Sequence, residues 1–441
     1  MKKTLPAILS AAVFLFLTVS AVSAADWKSE ADARIEKHRK ENVRITVTQN
    51  GKPVNGASLE FKMQRNEFLF GSNIFMFDRF RDKKDNAAYG EQFAAVFNFA
   101  TLGFYWSSYE SRQGQPNDAY AEKVVRWCQE HRIRTKGHPL VWNTGDPGWI
   151  KEMPTEELFR VQTGRAKTCT EHFRGQINTW DVINEVTEWQ RKDMQQRSPK
   201  LTELGKSVGE EKLVRESFAA ARQGNPDATL LINDYVTDNR YAALLDKFVA
   251  DGKPLFDAIG IQSHMHSGVW NNQRLWETCE RFARFGVPLH FTELTVMSLP
   301  RHRDWEKADS TPEGETFQRT EVERIYTMLF SHPSVAAITW WDFSDQGAWM
   351  NAPSGLVRKD MSPKPAYHAL KKLITEDWTT NIVLKTDTDG RASVRAFRGD
   401  YQVIASLPDG TKKEFPVSVQ KGEANQFEWD MSPSAERSLT R

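Results

Sequence analysis

The chain has 441 residues, 39 % of them hydrophobic, and its 59 Lys and Arg against 58 Asp and Glu give a formal net charge of +1. That length exceeds one minimal domain and suits a barrel of roughly 250 residues with an accessory unit, and the apolar share excludes a low-complexity or disordered chain. Near-neutrality without a long basic run argues against nucleic acid or an anionic membrane as the main partner. The compositional excess is tryptophan: 15 residues, mostly between Trp106 and Trp349, which fits either core packing or stacking on flat ligands.

Residues 1–24 read as a secretory signal peptide, with Lys2 and Lys3 ahead of a short apolar stretch and Val22-Ser23-Ala24 as the cleavage site. The stretch contains Ser10 and Thr18 and falls short of the about 20 apolar residues of a spanning helix. A secreted or periplasmic protein, free of the membrane after cleavage, is expected. Cys128, Cys169 and Cys279 are too few and too scattered for a disulfide framework or a zinc cage. Buried free thiols are favoured, and one disulfide with a spare thiol stays open.

Residues 25–67 form an N-terminal segment in which Ile45-Thr-Val-Thr and Leu59 to Met63 alternate like strands around an Asn50-Gly51 turn, predicting a β-hairpin. From 68 to 377 short apolar runs alternate with amphipathic stretches. Strands are predicted at 68–75, 97–104, 135–142, 177–184, 228–235, 258–263, 288–292 and 336–343. Helices are predicted at 120–131, 155–173, 211–222, 241–250, 273–285, 316–330 and 365–374. Eight strands each followed by a helix predict an α/β fold, a parallel (β/α)8 TIM barrel. A doubly wound sheet would place a Gly-rich phosphate turn after an early strand, and none occurs. Residues 378–430 return to strand alternation, with turns at Thr388-Asp-Gly390 and Pro408-Asp-Gly410. They predict a small antiparallel β domain before a tail at 431–441. This domain and the N-terminal hairpin are expected to pack as one β-sandwich-like accessory unit. Its aromatics, Trp378, Phe397, Tyr401, Phe427 and Trp429, suit a sandwich core better than a carbohydrate-binding module.

Barrel chemistry sits at the C-terminal ends of the strands. Strand three ends in His138-Pro-Leu-Val-Trp142-Asn143, strand four in Trp180-Asp-Val-Ile-Asn184-Glu185, strand six in Gln262-Ser-His264-Met-His266, strand seven in Thr292-Glu293 and strand eight in Trp340-Trp341-Asp-Phe-Ser-Asp345. Glu185 and Glu293 thus stand at two strand mouths across the barrel. Glycosidic cleavage needs such a pair: one carboxyl protonates the leaving oxygen and the other meets the oxocarbenium carbon, about 5–5.5 Å apart if it attacks directly. His264-Met-His266 has metal-pair spacing, but metal-dependent barrel amidohydrolases carry theirs on the first strand. No metal and no organic cofactor is expected.

These residues resemble glycoside hydrolase family 10, mostly endo-β-1,4-xylanases, over about 300 residues. The resemblance rests on Gly-His-Pro-Leu-Val-Trp, Trp-Asp-Val-Ile-Asn-Glu, Asn-Asp-Tyr, Gly-Ile-Gln-Ser-His, Thr-Glu-Leu and Pro-Lys-Pro-Ala-Tyr in the family's order. It implies a retaining double displacement on xylan or a xylo-oligosaccharide, with Glu185 as acid/base and Glu293 as nucleophile. Asn184 would bond the sugar 2-hydroxyl, and His264 with Gln262 would hold Glu293. His138 and Trp142 would line the subsite of the sugar being cleaved, Trp341 and Trp349 would wall the cleft, and Tyr235 would lie toward the leaving group. Asn143, standing where the family has a second histidine, is counted among the sugar contacts. Glu185 would be protonated while Glu293 is ionised, and a second carboxylate nearby raises the acid's pKa.

The chain departs from the family after strand two. Where xylanases carry Glu-Asn and then Lys to grip the second sugar on the non-reducing side, it reads Thr101-Leu-Gly-Phe-Tyr-Trp-Ser-Ser-Tyr-Glu. An aromatic grip is expected there, with Trp106, Trp270 and Trp305 in loops rather than core. A decorated xylan, a short oligosaccharide or another β-linked glycan stay open as substrates. The rival from another class is a non-catalytic glycan-binding protein on the same barrel.

Overall fold

The computed structural model describes residues 26–299 and 309–433; the predicted signal peptide, Trp305 and most of the tail lie outside the described residues. The chain enters through a helix absent from the sequence reading, α1 (Asp26–Arg39), followed by β1 (Lys40–Gln49), β2 (Lys52–Pro53) and β3 (Ser58–Asn66). The barrel strands are β4 (Leu69–Asn73), β5 (Phe99–Gly103), β6 (Arg134–His138), β7 (Thr179–Asn184) and β8 (Thr229–Asp234), then β11 (Ala258–His264), β12 (Leu289–Thr295) and β13 (Val335–Trp340). A small ladder, β9 (Val249–Ala250) with β10 (Lys253–Pro254), lies in the connection after β8. All eight barrel strands pair in parallel and β13 closes onto β4, giving the (β/α)8 barrel.

The strands are buried along most of their length because both faces of a parallel barrel are covered; every residue of β12 is buried, its polar ones included. Around them run α2 (Lys83–Ala94), α3 (Trp106–Tyr109), α4 (Asp118–Glu130), α5 (Thr155–His172), α6 (Lys192–Arg197), α7 (Pro199–Val208), α8 (Glu210–Gly224), α9 (Asn239–Asp246), α10 (Asn272–Ala283), α11 (Pro312–Ser331) and α12 (Pro365–Lys372). Around the barrel the structure adds α2, α3, α6 and α7 to the predicted set, and α6 with α7 forms the long connection after β7. Gly137 pairs with Trp180 across β6 and β7, and a Cβ there would lie 2.1 Å from the indole. Glycine therefore leaves room for the fully buried Trp180, which packs on Phe104 and Phe173 between the barrel strands and the surrounding helices. Register shifts fall between Asp181 and Ile183, between Ile261 and Gln262, between Leu289 and His290 and between Phe291 and Leu294. Such irregularities re-aim the side chains that follow.

The predicted accessory strands are woven differently from the sequence reading. β1 and β2 do form a hairpin at Asn50-Gly51, but its second arm is two residues long. The Leu59–Met63 stretch, in β3, belongs to another sheet. At the other end of the chain come β14 (Asn381–Lys385), β15 (Arg391–Phe397), β16 (Gly399–Ser406), β17 (Lys412–Val419) and β18 (Gln426–Asp430). They form no antiparallel domain by themselves: β15 and β18 flank β1, with β18 parallel to it, while β14 and β16 flank β3. Neither end of the chain can bury an apolar face alone, and the two sheets cover each other. Val43, Ile45 and Val47 of β1 meet Leu59 and Phe61 of β3 and Tyr401 and Val403 of β16 in one core. Trp429 stacks on Phe415 at 4.4 Å within this sandwich, whereas Trp378 packs against Phe70 and Phe330 of the barrel. Cys128, Cys169 and Cys279 are all free and buried.

Candidate active site

Glu185 follows directly on β7 in a left-handed conformation, φ 57° and ψ 41°, a strained backbone for a non-glycine residue. Its N–H donates to the Asn233 carbonyl at 2.8 Å, and the Thr187 N–H donates to the Asp234 carboxylate at 3.0 Å. The end of β8 thus pins the turn that aims Glu185. Glu293 rises from β12, and both glutamates are buried.

A chain of side-chain amides joins them. Asn233 Nδ2 donates to Glu293 Oε1 at 2.9 Å and to Asn184 Oδ1 at 2.7 Å. Gln262 Nε2 donates to Asn184 Oδ1 at 3.2 Å and to Glu185 Oε1 at 3.1 Å. Both partners donate to the Asn184 oxygen, so the amide orientation is set and its buried Nδ2 has no protein acceptor among the described residues. Gly260 permits this: a Cβ there would sit 2.3 Å from Asn233 Oδ1. Gln262 therefore supports Glu185, not Glu293 as expected. The second support of Glu293 is Asn233, a residue the sequence reading quoted in Asn-Asp-Tyr without giving it a role.

The other oxygen of Glu293 lies 3.1 Å from His264 Nε2, and His264 Nδ1 lies 3.0 Å from Thr295 Oγ1. Burial pushes the Glu293 carboxyl up, but the His264 hydrogen bond and the charges of His138, His264 and Lys136 outweigh it and hold it below the usual carboxylate range. For Glu185 burial prevails: with Glu293 nearby, it keeps the carboxyl above its usual value against the opposing pull of Arg191 and Gln262. The Arg191 guanidinium lies 2.6 Å from Glu185 Oε2. Two glutamates on one floor are thus driven apart in acidity, the condition for one acid and one ionised carboxylate.

Beneath the floor, Asp181 Oδ2 takes Lys136 Nζ at 2.7 Å and His138 Nδ1 at 2.8 Å. All three are buried. Burial would raise the Asp181 carboxyl, but Lys136 and His138 hold it below its usual value. Of the three, His138 alone is expected from the sequence; Asp181 lies inside the Trp-Asp-Val-Ile-Asn-Glu motif, and its partnership with Lys136 appears only in the fold.

A cleft of about 520 Å³ runs over this floor, lined by Trp142, Glu185, Gln262, His264 and Trp349 and, farther on, by Arg191, Tyr235 and Trp270. Trp349 stands half exposed over His264 at 4.8 Å, while Trp341 is buried against His138 at 5.6 Å. The Tyr235 hydroxyl donates to Glu188. Asn143 is a correction: it is wholly buried, and its Nδ2 donates to the Trp189 carbonyl at 2.6 Å and to Thr202 Oγ1 at 3.0 Å. Its amide is spent on fastening the connection after β7. Trp106 is another, since it is buried with Ile150, Met153, Leu201 and Leu204 in a satellite core. The aromatic that faces His138 and Trp142 on that side is Tyr105, at 5.6 and 5.8 Å. Trp270 is buried at the cleft's far edge under the Arg274 guanidinium. Among the described residues no cluster of three His, Cys, Asp or Glu could hold a metal.

A parallel barrel whose strand ends present two buried glutamates of opposed acidity, with aromatic walls, has the architecture of a glycoside hydrolase. The glycosyl hydrolase family 10 profile matches residues 62–373, most of the chain, and the chain belongs to that family. Endo-1,4-beta-xylanase B of Thermotoga neapolitana is 27% identical over 308 residues, 66% of this chain and 85% of that protein. Anti-sigma-I factor RsgI6 of Acetivibrio thermocellus is 25% identical over 405 residues, 90% of this chain, which spans about half (49%) of that longer protein. Among solved structures, native xylanase 10B from Thermotoga maritima superposes with a TM-score of 0.60 at 26% identity, over 70% of this chain and 96% of that one. Xylanase 10B from Thermotoga petrophila, solved with xylobiose, gives 0.59 at 26% identity, over 70% and 95%.

Proposed function

We propose that the chain hydrolyses β-1,4-xylosidic bonds in xylan or xylo-oligosaccharides by a retaining double displacement. Glu293 attacks the anomeric carbon as the glycosidic bond breaks, and Glu185 gives its proton to the departing oxygen. Glu185 then takes a proton from the water that opens the glycosyl-enzyme ester, and Glu293 leaves as the carboxylate. The observation that carries this reading is the amide chain from Glu293 through Asn233, Asn184 and Gln262 to Glu185. It spans the two carboxyls and leaves Asn184 Nδ2 available to donate to a sugar 2-hydroxyl. His138, Trp142, Trp341 and Trp349 hold the glycone, and Tyr235 borders the leaving-group side. Tyr105 takes the place of the polar glycone grip, so short or decorated xylans suit the cleft. We further propose that the protein acts after export, in the periplasm or outside the cell.

Release of reducing ends from xylan, with retained anomeric configuration by NMR, is the expected result. Glu185→Gln and Glu293→Gln should each abolish it with the fold intact. Tight glycan binding without release by the unaltered chain would instead identify a binding protein.

A further inference from the structure

Arg191 has no part in the mechanism above, yet its guanidinium lies 2.6 Å from the carboxyl that must carry the proton. It also meets Asp193 at 3.1 Å and sits over the Tyr235 ring at 5.3 Å. A permanent cation on a general acid opposes its task, because it favours the ionised form. The arginine is not isolated. Arg197 and Arg274 line the same end of the cleft, beyond Glu185. Arg197 reaches Asp193 only at 3.9 Å, and Arg274 lies on Trp270 at 4.2 Å with no carboxylate partner among the described residues. Glu188 is already taken by Tyr235 and Arg240. Three arginines therefore line the leaving-group end against Asp193 and Glu185, Arg191 mostly covered and Arg197 and Arg274 exposed, and a forked guanidinium suits a carboxylate.

We propose that Arg191 is a specificity-determining residue that recognises an acidic sugar, a uronate substituent, on the leaving-group side, and that engaging it draws Arg191 away from Glu185. The Coulomb load on Glu185 is then transferred to the substrate's own carboxylate, and the acid keeps its proton. Facing Glu185 are Arg191, Gln262, Glu293 and, from the end of β8, Asp234 and Tyr235. Facing Arg191 are Glu185, Asp193, Tyr235 and Glu188. Of all these, Arg191 is the one cation on the acid. Recognition stands on the arginine cluster alone, whereas the coupling rests on the reading of Glu185 as acid/base.

Two measurements separate these parts. The full chain carrying Glu293→Gln is titrated calorimetrically with xylotetraose and with xylotetraose bearing a glucuronosyl branch. The acidic ligand should bind about tenfold more tightly, the worth of one charge-assisted contact. Arg191→Ala should bring the two affinities together, and Arg191→Lys should restore part of the difference. Equal affinities in the parent, or a preference that survives Arg191→Ala, overturn recognition. In chains with Glu293 intact, the kcat/KM pH profile on unbranched xylotetraose reads the coupling. Arg191→Ala removes the cation, so Glu185 holds its proton to higher pH and the basic limb moves up. Arg274→Ala, which does not touch Glu185, should weaken the acidic preference without moving that limb. A limb unmoved by Arg191→Ala overturns the coupling. If the intact chain cleaves nothing, the hydrolase reading and the coupling fall together, and the titration still decides the acidic site.

Discussion

Lys136→Ala tests the buried charge cluster under the active-site floor. Lys136 and Asp181 are 1 % and 0 % exposed, 2.7 Å apart, and Asp181 Oδ1 has no partner of its own. Removing the ammonium leaves a buried carboxylate with His138 as its one side-chain hydrogen-bond partner among the described residues. Breaking a buried pair from one side costs about 3–5 kcal/mol, a fall in Tm on the order of 10 °C. The Asp181 carboxyl is held below its usual value in the native protein, so its contribution is present above the ordinary carboxylate range and lost as pH falls through the native value. In the variant burial acts unopposed by Lys136, the carboxyl rises, and protonation relieves it. The stability gap should therefore be widest near pH 7 and narrow toward pH 4. Lys136 also helps hold Glu293 low; without it the acid limb of kcat/KM should move up, because Glu293 works ionised. Calorimetric or denaturant unfolding from pH 4 to 8 measures the first effect, and pH-rate profiles the second. A loss below about 1 kcal/mol at pH 7, less than a cut buried pair costs, or a gap constant with pH, would refute the reasoning.

Asn233→Ala removes the donor to Glu293 and frees Asn184 to turn. A fall in kcat on the order of 10²-fold is expected, as for one lost charge-stabilising donor, and turnover of an aryl β-xyloside within threefold of the parent would deny that role. Asn143→Ala should cost about 1–3 kcal/mol of stability through the orphaned Trp189 carbonyl and Thr202, with KM nearly unmoved; the reverse pattern would return Asn143 to the sugar contacts. Gly137→Ala drives a methyl into the Trp180 indole and should lower stability by about 1–3 kcal/mol or more. A Tm equal to the parent's would show that the packing around Trp180 yields there.

Much of the site was legible because barrel chemistry clusters where strands end. Glu185 and Glu293 needed only strand order, and His264 and Asn184 needed only their motifs. Which oxygen each amide serves was not legible. Gln262 and Asn233 both sit at strand ends with identical chemistry, and local register shifts aim one at Glu185 and the other at Glu293. Asn143 immediately follows Trp142, a cleft residue, yet its side chain turns the other way. Tyr105 takes the place expected of Trp106 for the same reason: adjacent residues at the start of a short helix point in different directions. Arg191 carried no signal, since a lone arginine in a polar stretch reads as solvated surface until the fold brings it to Glu185.

By itself the sequence determined the barrel, through eight short apolar runs separated by amphipathic stretches, and the chemistry, through residue types at those runs' ends. Both are local properties: hydrophobic periodicity sets each element, and strand polarity sets which end faces the cleft. The tertiary structure decided what depends on contacts between distant segments. It wove β1 and β3 between C-terminal strands, because two short apolar faces must cover each other. It also divided the acidity of two chemically identical glutamates through the charges and amides that folding places around each one.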